Sequence, residues 1–382
     1  MEPDCGMPGT RKIPEVLRIL VLALALGLVL FTLPYVGRLR AALGDEGVRL
    51  PLFILFTVTA LGFLIAHVRV LRCRPTRWVG LALFLLLFGV VFFLLKGPNR
   101  VVGLVEKVHL LEYSLLAVLF WWAFHRRLAG PQIYFHGLLF TVLAGLLDEY
   151  VQHVLPLRVG EIRDVWINLA GGALGLLYVA LVIRPGHELR PVPAVVWRNI
   201  LLGSALSLLA LGGFLHQVQL GRLIVDRTAG VSFKSRFSEA GLREQNRIHR
   251  EQWEASATPF NPEATVRGYG CWAVEDFFIT EAMRHIGARN HHIDADRPLL
   301  AAMEQRILLR HFSAVMNALE PRLPREVQTR LRTQPGLTPE APVRSTEMNQ
   351  LFTWITPATL WAVLGTAMAC CMGGALLLHR RS

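Results

Sequence analysis

Eight stretches of this chain are long and apolar enough to cross a bilayer, and nothing else in the sequence limits the fold so strongly. They lie near residues 15–34, 50–69, 78–95, 104–124, 133–150, 164–183, 198–217 and 352–378. A hydrocarbon core is crossed by about 20 residues of α-helix, and in lipid a helix satisfies its own backbone hydrogen bonds. With 53% of its 382 residues hydrophobic, the chain exceeds ordinary soluble composition, and the excess is gathered in these blocks. The first block follows a charged start, and no small-residue cleavage site follows it, so it is expected to be retained. The expected fold is all-α: a polytopic transmembrane helical bundle with a small, mainly helical extracytoplasmic domain.

That domain is expected over residues 218–350, which are too polar to span and too many for a simple loop. Stretches 235–256, 271–288 and 295–316 are rich in Glu, Arg, Ala and Leu at helical spacing. Between the first two, NPEATVRGYG (261–270) reads as a turn or loop, and Trp272, Glu275 and Asp276 read as a helix anchor and cap. Pro321, Pro324, Pro335, Pro339 and Pro342 make 321–346 resemble a tether. The organisation predicted is residues 1–48 with the first membrane helix, 49–184 as a transmembrane domain, 185–217 as an additional membrane helix, 218–350 as domain and tether, and 351–382 as the last membrane helix.

The net charge of +12 invites a nucleic-acid reading, but its distribution argues against nucleic acid as a partner. Residues 218–350 hold 18 Lys or Arg against 16 Asp or Glu, and most of the excess flanks membrane helices, as orientation signals do. With all eight blocks spanning and a cytoplasmic N-terminus, the inner segments hold 14 basic residues and the short outer segments 8. This predicts a multi-pass cell-membrane protein with both termini cytoplasmic and residues 218–350 extracytoplasmic. The five cysteines have no zinc-knuckle spacing, and the adjacent Cys370 and Cys371 lie inside an apolar block, which disfavours disulfides and cysteine metal sites.

In that topology three polar groups converge on the outer side. Glu106, His109 and Tyr113 fall at i, i+3 and i+7 on one helical face, with Glu112 on its flank. Asp148, Glu149 and Gln152 end the fifth block, while Asp164 and Asn168 begin the sixth. Gly171, Gly172 and Gly175 permit close helix packing below this layer, and Arg158 and Arg163 in the intervening loop suit an anionic group.

EKVHLLEY, followed by LLDEYVQHVLPLRVGEIRDVWINLAGGALG, resembles the VanZ-like membrane proteins over roughly residues 50–183. The resemblance rests on Glu106, His109 and Tyr113; on Asp148, Glu149 and Gln152; on Arg158; and on Asp164, Asn168 and Gly172. It implies a cell-envelope setting, since the family's namesake is associated with low-level resistance to a glycopeptide that acts there. It does not extend to residues 185–382 and carries no defined reaction.

Carboxylates beside a histidine can do acid–base work when partial burial brings their pKa values toward neutrality. His109 would carry the proton, Glu106 or Asp148 would orient it, and Arg158 and Arg163 would hold a phosphate or carboxylate. A lipid-linked or anionic envelope intermediate is the ligand class that fits, and it would be bound or processed at the outer leaflet. The same residues suit a structural network binding helices together, so enzyme status stays open. A non-catalytic interaction protein working through its outer domain, and a small-solute transporter, are the other classes. A further divalent-ion candidate is His291, His292, Asp294 and Asp296. The sequence identifies no cofactor.

Overall fold

The computed structural model describes residues 14–35, 76–95, 100–128, 130–155, 160–183, 192–255, 276–319, 325–336 and 342–380, with a few isolated positions between them. The expected span 50–69, the loop 261–270, Trp272, Glu275 and Arg158 lie outside the described residues.

Six helices are long and apolar enough to cross a membrane among the described residues. The first is α1 (Glu15–Tyr35), followed by α2 (Thr76–Leu94), α3 (Arg100–Phe124), α4 (Gln132–Val154) and α5 (Ile162–Tyr178). Next comes α6 (Ala194–Phe214); α5 and α6 each continue into one π-helical turn, Val179–Ile183 and Leu215–Gln219. The last is α12 (Pro357–His379). The expected span 133–150 forms α4, but α4 is not among the six. Gln132, His136, Asp148, Glu149, Gln152 and His153 hold down its apolar character.

The described residues divide into two compact units. In the first, which includes α1 to α6, the burial of each helix follows its polarity. Leu24 and Phe93 are each 74% exposed, and Leu206 and Leu376 also face outward; such surfaces are stable in hydrocarbon and unstable in water. By contrast, α3, α4 and α5 bury much of their length. Leu22 of α1 packs with Tyr113, Phe120 and Trp121 of α3 and Ile133 of α4. On the other side, Leu81 and Phe84 of α2 pack with Leu110, Ile167, Leu174 and Tyr178. Arg18 donates to the Trp122 carbonyl at 2.8 Å, and Glu15 pairs with Arg127, joining the start of α1 to the end of α3.

The three expected packing glycines all sit at close approaches. A side chain at Gly171 would meet the Leu110 carbonyl at 2.6 Å, one at Gly175 would strike the Ser114 carbonyl, and one at Gly172 would strike Thr141. The Ser114 hydroxyl donates across the α3–α5 contact to the Gly171 carbonyl at 2.8 Å. Close backbone contact of this kind is how small residues join membrane helices.

The second unit holds residues 215–361, and it adds a small β-sheet and further long helices to the mainly helical domain that was expected. It has a three-stranded sheet in the order β1-β2-β3. β1 (Arg222–Asp226) pairs antiparallel with β2 (Val231–Ser235), in register from Arg222↔Ser235 to Asp226↔Val231. β3 (Val343–Arg344) adds to β2 in parallel. VSFKS alternates apolar and polar residues over its first four positions, whereas RLIVD runs three apolar residues together, and the helical spacing downstream masks so short a signal. The turn between them is stabilised by the Asp226 carboxylate, which accepts from the Thr228 hydroxyl and the Ala229 N–H, and Gly230 takes φ +65°. Only glycine adopts that backbone readily.

Among the described residues the domain's helices are α7 (Glu239–Glu254), α8 (Phe277–Asp294), α9 (Pro298–His311), α10 (Ser313–Leu319) and α11 (Arg325–Thr333). Ser238 caps α7 and Asp276 caps α8 through side-chain oxygens, and Pro298 opens α9. The Pro-rich stretch 321–346 contributes α11 and β3, and its Leu331 and Val343 pack on the core of Phe233, Phe278, Ala302, Ile307 and Phe312. It is part of the domain rather than only a tether. The domain's two ends are joined: Leu220 bridges Phe352, the Gly221 N–H donates to the Phe352 carbonyl at 3.1 Å, and the Phe352 N–H to the Gln219 carbonyl at 2.7 Å.

Candidate functional site

The polar layer forms where the N-terminal half of α3, the C-terminal end of α4 and the first turns of α5 meet. Glu106, His109, Tyr113, Asp148, Glu149, Gln152 and Asn168 are all buried there. On α3, the i, i+3, i+7 spacing puts Glu106, His109 and Tyr113 on the face turned to α4 and α5.

Asp148, fully buried, is the hub. Its Oδ2 accepts from the Tyr113 hydroxyl at 3.1 Å and lies 3.7 Å from His109 Nδ1, while its Oδ1 accepts from Gln152 Nε2 at 3.3 Å. The Tyr113 hydroxyl also reaches the Ala144 carbonyl at 3.2 Å. Glu112 approaches His109 from α3 itself, at 3.9 Å.

Glu149 turns to the chain entering α5. It accepts from the Glu161 N–H at 2.9 Å and from Gln152 Nε2 at 3.1 Å. Glu106 is held by Arg163, whose Nη2 donates to Oε2 at 3.0 Å while Nη1 forms an ion pair with Oε1 at 2.8 Å. A charge-assisted hydrogen bond of this kind is stronger than a neutral one. Arg163, expected as an anion-recognition residue, thus has a carboxylate of the chain itself as its partner. Asp164, in the first turn of α5, lies within charge reach of His109, Glu161, Glu106 and Arg163.

Among the described residues, Asn168 and His109 of the layer have unmet hydrogen-bonding capacity. Neither Asn168 Oδ1 nor Nδ2 has a hydrogen-bond partner there although the residue is fully buried, and His109 Nδ1 has none within hydrogen-bond distance. A side chain at Gly145 of α4 would meet the Asn168 Cβ at 3.1 Å, so Asn168 presses on α4 one turn before Asp148. Lys107 points elsewhere, its Nζ 4.7 Å over the Phe92 ring.

Residues 18–183 match the VanZ/LLP1 family. The chain carries a VanZ-like membrane domain. The match begins well before residue 50, where the motifs suggested a start, and takes in nearly all of α1. Membrane-length helices α6 and α12 continue beyond it. The chain is therefore a polytopic membrane protein with a VanZ-like domain and the cell-envelope context of that family. No curated protein and no solved structure matches the chain.

The second unit holds a buried polar network that sequence reasoning missed. Glu304 of α9 binds His285 Nδ1 of α8 at 2.6 Å and accepts from the Ser345 hydroxyl at 2.6 Å. Glu281, one turn before His285, accepts from the Ser235 hydroxyl at 2.7 Å and the Arg236 N–H at 3.0 Å. Burial pushes the Glu281 carboxyl up from its usual value. The i, i+4 spacing of Glu281 and His285 is visible in sequence, but their partners on α9 and the strands are not. The divalent-ion candidates His291, His292 and Asp294 end α8, and Asp296 follows with Arg330 at 3.4 Å. Among the described residues no three His, Cys, Asp or Glu side chains are grouped to hold a metal ion.

Proposed function

We propose that the polar layer of the VanZ-like domain binds the polar head of a lipid-linked, anionic cell-envelope intermediate at the outer leaflet, with His109 as its proton-handling group. The observation that carries this reading is the unmet hydrogen-bonding capacity of His109 and Asn168 amid buried carboxylates. A layer built only to join helices gains nothing from a buried amide left without partners, which costs free energy. A ligand head group offering hydroxyls or phosphate oxygens would satisfy both.

His109 suits proton exchange because its Nδ1 faces two carboxylates, Asp148 and Glu112, at 3.7 and 3.9 Å. These distances are outside hydrogen bonding but within strong charge influence. Tyr113 and Gln152 fix Asp148 from either side, so its position does not depend on the histidine. Arg163 is 46% exposed at its side chain while its partner Glu106 is buried. An incoming phosphate could therefore share the guanidinium without leaving Glu106 bare.

The test is lipid analysis of a strain lacking the gene, complemented in parallel by wild type, His109→Ala and Asp164→Asn. The expected result is one accumulating envelope lipid that only the wild-type chain returns to normal. If both variants, present in the membrane at wild-type levels, restore the lipid profile, the layer is structural and the reading fails.

A further inference from the structure

Arg289 of α8 is only 6% exposed, yet its hydrogen-bond partners are all neutral. Its Nη1 donates to Gln305 Oε1 at 2.8 Å, and its Nε and Nη2 both donate to Asn290 Oδ1, at 3.1 and 2.9 Å. Among the described residues no carboxylate pairs with it. Three buried histidines of the domain, by contrast, each have a carboxylate: His285 has Glu304, His249 has Asp276, and His311 has Asp226. A guanidinium removed from water without a counter-charge is among the costliest arrangements a fold can hold. Burial pulls Arg289 down from its usual pKa, and no neighbouring carboxylate opposes that pull.

Among the described residues, the surroundings supply donors and no carboxylate oxygen left free to accept. Gln305, 1% exposed, spends its oxygen on Arg289, and its buried Nε2 has no partner. His292 lies three residues beyond Arg289 on the same face of α8, and its buried Nδ1 also lacks a partner. Glu304 lies within charge reach of His292, but its two oxygens are taken by His285 and Ser345. Asn290 is exposed, so the guanidinium lies just under the domain surface.

We propose that Arg289, Gln305 and His292 form an oxyanion-binding site in the second unit, taking a phosphate or carboxylate group. The guanidinium supplies charge and a planar fork, the Gln305 amide supplies a second donor, and the neutral His292 imidazole, with its proton on Nδ1, supplies a third. Inorganic phosphate and the phosphate of an anionic lipid share this chemistry. The site is independent of the polar layer in the membrane domain and does not rest on that layer's function.

The experiment uses the full chain in phosphatidylcholine nanodiscs, titrated calorimetrically with inorganic phosphate at an ionic strength fixed by chloride. Saturable binding is expected, and Arg289→Gln should weaken it by about tenfold or more, the loss of charge-assisted hydrogen bonds. Gln305→Leu, which keeps the cation, should weaken it less. A second arm repeats the titration in phosphatidylglycerol nanodiscs. If lipid is the natural occupant, apparent phosphate affinity falls there, whereas a free anion as occupant leaves it unchanged. Absence of saturable binding in both lipids overturns the proposal. So does equal affinity in wild type and in Arg289→Gln with wild-type circular dichroism. Should Arg289→Gln fail to fold, unchanged affinity in both Gln305→Leu and Arg289→Lys overturns it.

Discussion

Both units bury carboxylates, histidines and amides, and they treat them differently. In the second unit, Glu304 and Glu281 are met at 2.6 to 3.0 Å by His285, Ser345, Ser235 and the Arg236 N–H. In the membrane domain, His109 stands 3.7 Å from Asp148, and Asn168 has no hydrogen-bond partner among the described residues. The Glu304 and Glu281 network spends its carboxylates on the fold. The membrane layer keeps some groups in reserve, as the Arg289, Gln305 and His292 cluster of the second unit also does, which is what a site needs if its partner arrives from outside.

The largest effect should come from the satisfied network. Glu304→Ala leaves the buried His285 and Ser345 without their partner, so the second unit should lose about 3–5 kcal/mol. Pulse proteolysis of the full chain would read this as early cleavage within residues 215–361. A loss near zero would mean that the network is not the fold's cement.

Asn168→Leu sharpens the contrast from the other side. It removes an amide that has no partner among the described residues, so stability should change by less than about 1 kcal/mol or rise. Complementation of the deletion strain should nonetheless fail. A strongly destabilised variant would place Asn168 with the structural groups.

The smallest effect is pH dependence at the start of α8. Burial lowers the His249 imidazole, but its hydrogen bonds with Asp276 and the Gln245 carbonyl outweigh this and raise it above its usual value. A raised folded-state value stabilises fully below about pH 6.5, and that contribution fades as pH rises through the folded value. Thermal melts of wild type should therefore lose ground against His249→Phe between mildly acidic and alkaline pH. Parallel curves would remove His249 from the pH response.

The membrane elements were legible because lipid enforces a simple rule on composition, and polar exceptions such as Glu106 and His109 stand out against it. Helical spacing then brought Tyr113, Asp148 and Gln152 within reach of one another. The Arg163–Glu106 pair was not legible, because a loop arginine can turn either to ligand or to protein. The sheet was obscured for a different reason. Strands of five residues carry little periodic signal beside helices of fourteen to eighteen, and β3 acquires its identity only by lying along β2. Long-range contacts such as Ser345 with Glu304 depend on that placement.

The bridge between Leu220 and Phe352 makes the second unit a cassette. Its entry and exit strands leave through one doorway, so the chain between them can be lengthened, exchanged or cut out without altering how far apart α6 and α12 must stand. Domains whose termini lie together tolerate such transplantation. A short Gly-Ser loop in place of residues 222–350 should therefore leave the VanZ-like domain inserted, and the same doorway offers a way to hang this cassette on another pair of membrane helices.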